Sequence, residues 1–154
     1  MTRLEEYETL MRRSRMFLEE AREAYQKERY DLAVFLAEQG LQLYLKAQLL
    51  RVAGDYPRTH SVRQLLSLLA RALGGEAVEV VSEFSRRMRP RLSELEDVYI
   101  AARYTTRVYT REDAKDILET VEEVMRLVER LLKGAPRDAP REEEDTPRLG
   151  ETSA

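Results

Sequence analysis

No cysteine occurs anywhere in the 154 residues. Its absence removes disulfides, thiolate metal ligands and a cysteine nucleophile together, and fits a reducing compartment. Tryptophan is also absent, phenylalanine occurs three times and glycine six. That scarcity, set against plentiful Leu, Ala, Glu and Arg, disfavours sheet and favours helix. No apolar run approaches the length of a membrane span, and the opening Met1-Thr2-Arg3-Leu4-Glu5-Glu6 lacks the apolar stretch of a signal peptide. The expectation is an all-α, soluble, cytoplasmic protein with no membrane contact. A single histidine, His60, builds neither a triad nor a metal site, so no metal and no cofactor are expected.

What is present is enough for one domain. With 43% hydrophobic residues, a chain of this length buries roughly two thirds of the surface its unfolded form exposes. Net charge is −3, but residues 134–154 hold three Arg against six Asp and Glu. The body through Lys133 is therefore balanced, and overall charge argues neither for nor against nucleic acid. Only Lys27, Lys46, Lys115 and Lys133 among the basic residues are lysine. The arginine excess serves surface ion-pair networks as readily as ligand binding.

The apolar spacing predicts an antiparallel up-and-down bundle of about five helices over residues 1–133. The first helix runs from about Leu4 to Gln26. Asp31 is placed to cap a second, whose stripe reads Leu32, Phe35, Leu36, Leu43, Ala47 and Leu50 and which stops at Gly54-Asp55-Tyr56-Pro57. Thr59 or Ser61 caps a third helix that ends at Gly74-Gly75. A fourth spans Glu76 to about Met88, with a break near Arg89-Pro90 before Leu92, Leu95, Val98 and Tyr99. The last opens on Thr110-Arg111-Glu112-Asp113, close to a capping box. Residues 134–154, with three prolines and the run Glu142-Glu143-Glu144-Asp145, are predicted to be a disordered acidic tail.

Three places carry possible chemistry. Gln39 and Lys46 stand seven positions apart on the second helix, within about 20° of one another, and interrupt its apolar stripe. They need partners on a neighbouring helix, a twofold-related chain or a ligand. Gly40 beside them costs about 1 kcal/mol relative to alanine, which implies a close helix crossing. His60 follows Thr59 at a helix start, where free N–H groups favour anions, although packing and capping are the more usual roles of such a histidine. Finally, Arg86, Arg87, Arg89, Arg91, Arg103, Arg107 and Arg111 interleave with Tyr99, Tyr104 and Tyr109. Guanidinium–phosphate pairing and base stacking could coexist there, as single-stranded nucleic-acid sites require. The plainer reading has Arg103 and Arg107 satisfying helix-end carbonyls while the tyrosines pack the core.

Taken in order, Tyr30-Asp31-Leu32-Ala33 with Glu38-Gln39 and Lys46-Ala47, the pair Thr59-His60, and the pair Arg103-Tyr104 before the final helix resemble the HEPN family. The likeness spans roughly residues 4–133, with Gly40 standing where the family often has alanine. The resemblance implies a dimerising helical bundle that binds a nucleotide or RNA, often encoded beside a minimal nucleotidyltransferase as a toxin–antitoxin pair. Active members are metal-independent ribonucleases with an arginine followed after about four to six residues by a histidine. Arg103 fits the first position, but tyrosine at 109 stands where that histidine belongs, and with a pKa near 10 it is a poor base at neutral pH.

The leading expectation is a homodimeric, nucleotide- or RNA-binding HEPN domain lacking full ribonuclease activity, with Arg103, Tyr104, Arg107, Lys46 and Gln39 as ligand-binding residues. An alternative is a ribonuclease using Arg103 with Tyr109 or His60. Another is a helical interaction scaffold, since Tyr30 to Lys46 resembles half of a tetratricopeptide hairpin, though no second copy follows.

Overall fold

The computed structural model describes residues 1–134, and these are all-helical. Six helices follow one another: α1 (Arg3–Gln26), α2 (Tyr30–Ala53), α3 (Val62–Leu73), α4 (Ala77–Arg87), α5 (Arg89–Tyr104) and α6 (Arg111–Lys133). The count exceeds the expected five because the break before Pro90 is complete. Met88 both ends α4 and precedes α5, and Pro90 lies in the first turn of α5, where its missing N–H costs nothing. The acidic tail lies, apart from Gly134, outside the described residues.

Thr2 caps α1 by accepting the Glu5 N–H at 3.1 Å, and Ser61, not Thr59, caps α3 by accepting from Gln64. Thr110 and Asp113 close a full capping box at the start of α6. Asp31 does not cap α2. The residue before that helix is Arg29, which makes no side-chain cap bond, and Asp31 sits inside the first turn with a different partner, described below.

α1 and α2 form an antiparallel hairpin locked at its open end by Arg3, which donates to the Leu50 and Arg51 carbonyls at 2.8 and 2.7 Å. Both carbonyls lie in the last turn of α2, which the left-handed Gly54 (φ 88°) terminates while donating its own N–H to the Leu50 carbonyl at 3.0 Å. Midway, the buried Ser14 hydroxyl donates to the Gly40 carbonyl at 2.7 Å. A β-carbon at position 40 would stand 2.8 Å from Leu18 Cγ, so the close crossing expected at this glycine is present.

α2 is the central helix, packed by α1, α3, α5 and α6. Its core side chains are Val34, Ala37, Leu41, Tyr44 and Leu45 with Ala47, Leu49 and Leu50. The expected stripe was phased partly wrong: Leu32 is exposed, and Phe35, Leu36 and Leu43 are only half-buried. A helix enclosed on most sides has no single apolar face, so periodicity alone cannot orient it. Gln39 and Lys46 lie on that half-open side rather than in the core.

Candidate ligand groove at Arg103

The C-terminal end of α5, the connector Thr105–Thr110 and the first turns of α2 enclose a groove of about 530 Å³. Its floor and walls are mainly apolar, from Leu32, Val34, Phe35, Val98, Ala101 and Val108, and Arg103 and Arg107 border it. The shape follows from how α5 ends. Thr105 turns extended (φ −133°, ψ 170°) while its hydroxyl donates to the Ala101 carbonyl at 3.1 Å. The chain then returns to the bundle at Tyr109, whose N–H donates to Asp31 Oδ1 at 2.8 Å. Asp31 therefore ties the connector to α2 across 78 residues of sequence.

Tyr109 is the anchor of that return. Its ring is buried, its hydroxyl makes no hydrogen bond among the described residues, and burial pushes its pKa up. A phenol so enclosed neither reaches substrate nor ionises readily at neutral pH. Arg107 lies over the Tyr109 ring at 4.4 Å and donates to Glu94 at 2.8 Å. Partial burial works against its cation, and the Glu94 carboxylate outweighs that effect.

Arg103 is exposed. Its guanidinium lies 3.9 Å from the Tyr99 ring centroid and 5.4 Å from that of Phe35, and it donates to the Tyr99 carbonyl at 2.9 Å. One bond thus goes to the carbonyl one turn earlier in α5, while the rest of the fork remains available. Arg103 makes no ion pair among the described residues. Tyr104, beside it, is 76% exposed and is free to meet a planar ligand.

His60 joins the same cluster. It is exposed and stacks on Tyr99, ring centroids 4.0 Å apart and planes 12° from parallel. The fold thereby brings His60 and Arg103 onto one ring, although 43 positions separate them in sequence.

Gln39 and Lys46 do not line the groove; both interact with Glu38. That carboxylate is wholly buried and accepts from Gln39 Nε2 at 2.8 Å and from Gln42 Nε2. Burial raises its pKa, opposed by those two bonds and by the nearby Arg103 and Lys46 charges. Lys46 is pushed down by partial burial and steadied by Glu38. Sequence reading named Tyr99 among the tyrosines of the basic segment, one helical turn before Arg103, but missed Phe35 and Asp31, which line the groove. Among the described residues, no three His, Asp or Glu side chains gather as a set that could hold a metal ion. None of the described helices is long and apolar enough to cross a membrane.

A helical bundle whose arginine-tyrosine pair closes the penultimate helix matches the HEPN domain family model over residues 7–131, and the chain belongs to that family. No match emerges among curated proteins or solved structures.

Proposed function

We propose that this HEPN domain acts as a cytoplasmic homodimer that binds single-stranded RNA or a nucleotide at Arg103 and has little or no ribonuclease activity. The observation that carries the reading is the exposed Arg103 guanidinium, held against Tyr99 and Phe35 at the edge of an apolar groove and without an ion pair among the described residues. A phosphate meets the fork, and a base meets Tyr104 or the groove wall. Weak or absent cleavage follows from the enclosed Tyr109 hydroxyl, which is unsuited to take a proton from a 2′-hydroxyl.

Dimerisation is supported by apolar side chains that the bundle leaves open around this groove. Leu32 is 44% exposed, Ile100 48% and Val108 74%, next to the half-buried Leu36 and Leu43. A second copy seated there would cover them and place two Arg103 side chains beside a shared cleft. Pairing with a minimal nucleotidyltransferase, as a toxin–antitoxin system, rests on membership of the family, and the domain is taken to end at Lys133.

Photocrosslinking of 4-thiouridine-containing single-stranded RNA tests the reading. Crosslinked peptides should map to residues 99–109 and the start of α2. Crosslinks confined to other parts of the bundle, or none, would contradict it. A second reading, residual metal-independent cleavage by His60 with Arg103, is favoured by their shared contact with Tyr99. It requires cleavage in chelator that disappears in both His60→Ala and Arg103→Ala.

A further inference from the structure

A second hollow, of about 560 Å³, lies away from the Arg103 groove, where α3 and α4 meet the start of α5. Arg63, Arg86 and Arg89 line it together with Ser67, Ser82 and Ser85, and no carboxylate among the described residues does. We infer that this hollow is a phosphate-binding site, formed by three guanidinium groups and three hydroxyls around one cavity. It shares no lining residue with the Arg103 groove, so it stands whether or not that groove binds RNA.

Each guanidinium has a different standing. Arg63 is set in place by Glu96, to which its Nε and one terminal nitrogen donate at 3.0 and 2.6 Å. Glu96 is itself fixed by the Ser61 hydroxyl at 2.8 Å and the Arg63 N–H at 3.1 Å. That leaves Arg63 oriented, with donors to spare. Among the described residues Arg86 pairs only with Glu83 one turn earlier, and both side chains are largely exposed (71% and 63%), so an incoming anion competes easily. Arg89 makes no ion pair or hydrogen bond among the described residues.

The position of Arg89 supplies an independent argument. It is the first residue of α5, whose opening turn contains no acidic residue. The positive end of the helix dipole disfavours a cation there, and Arg91, which reaches toward Glu123 at 3.5 Å, adds another. An anion in the hollow offsets that repulsion. The hydroxyls of Ser82 and Ser85 make no hydrogen bonds among the described residues and are available as donors. Forked arginine donors with hydroxyls suit a tetrahedral oxyanion, and the volume admits a polyphosphate or a phosphate with its attached sugar.

The test is calorimetric titration of the full chain with inorganic tripolyphosphate at low salt. Wild type should bind, the double variant Arg86→Ala/Arg89→Ala should bind at least about tenfold more weakly with an unchanged helical circular dichroism spectrum, and Lys115→Ala, which removes an exposed cation lining neither hollow, should bind like wild type. Ser82→Ala/Ser85→Ala, which leaves the charge intact, should bind several-fold more weakly. Displacement of tripolyphosphate by ATP would assign the site to a free nucleotide, and displacement by a single-stranded RNA oligomer to a strand phosphate. No binding by wild type, equal affinity in the double arginine variant, or displacement by neither competitor would overturn the proposal.

Discussion

His60 lies nearly flat on Tyr99, ring centroids 4.0 Å apart, and the same tyrosine carries the Arg103 guanidinium at 3.9 Å. Tyr99 therefore joins a residue from the α2–α3 connection to the end of α5. Both of its charged or titratable neighbours depend on one half-buried ring for their position.

Replacing that ring should disperse the cluster without unfolding the bundle. In Tyr99→Leu, the aliphatic side chain keeps the packing but offers no π-face. Stacking and cation–π contacts of this kind contribute about 1 kcal/mol or more. Affinity for a labelled single-stranded RNA, read by fluorescence anisotropy, should fall roughly tenfold, while the melting temperature moves by only a few degrees. Unchanged RNA affinity would mean that Tyr99 does not position the site.

Gly40 should resist even the smallest enlargement. Alanine gains about 1 kcal/mol in helix propensity. Its β-carbon, however, would stand 2.8 Å from Leu18 Cγ and 3.3 Å from Phe17 Cβ. Leu18 is buried and Phe17 Cβ is fixed by its backbone, so relief requires moving α1, at about 1–3 kcal/mol. Gly40→Ala is expected to lower unfolding stability by about 1 kcal/mol, seen as an earlier urea midpoint. A later midpoint would show that the crossing is looser than this packing requires.

Glu96 governs part of the acid response. Burial alone would raise its pKa, but hydrogen bonds from Arg63 and Ser61 outweigh that and hold it below the usual value. A lowered folded-state pKa contributes stability above the unfolded value, about 4.3, and that stability is lost as pH falls through the folded value. Wild type should therefore lose more melting temperature between pH 6 and pH 3 than Glu96→Gln, which starts lower at pH 7 because Arg63 has lost its ionic partner. Parallel curves for the two proteins would remove this role.

Val108 probes the shared surface. It is 74% exposed and contributes to the wall of the Arg103 groove, so Val108→Glu leaves the core of the bundle intact while placing charge at the contact between copies. Light scattering after size exclusion should show a dimer for wild type and a monomer for the variant, with the helical spectrum preserved. A dimer in both would place the contact elsewhere.

Local signals in the sequence carried most of the fold. Thr110 with Asp113, Gly54 and Pro90 each mark a helix end through short-range chemistry, and each stands where that chemistry put it. Gly40 likewise announced the close crossing of α1 and α2. The phase of α2 was not readable, because neighbours enclose most of its circumference and apolar residues occur all round it. The Asp31 carboxylate has the composition of a helix cap, yet it serves the Tyr109 amide, a pairing that only the tertiary fold creates. The site divides the same way. The Arg103–Tyr99 contact spans one helical turn and was latent in the sequence, whereas His60 reaches Tyr99 only because α5 packs beside the start of α3.

The central claim is that the Arg103 guanidinium meets phosphate. Its most direct test is the salt dependence of single-stranded RNA affinity for wild type and Arg103→Ala. One phosphate contact on a single strand contributes about 0.7 to the slope of log K against log salt. The variant should bind roughly tenfold more weakly at low salt and show a slope shallower by about that amount. Identical affinities and slopes for the two proteins would contradict the account.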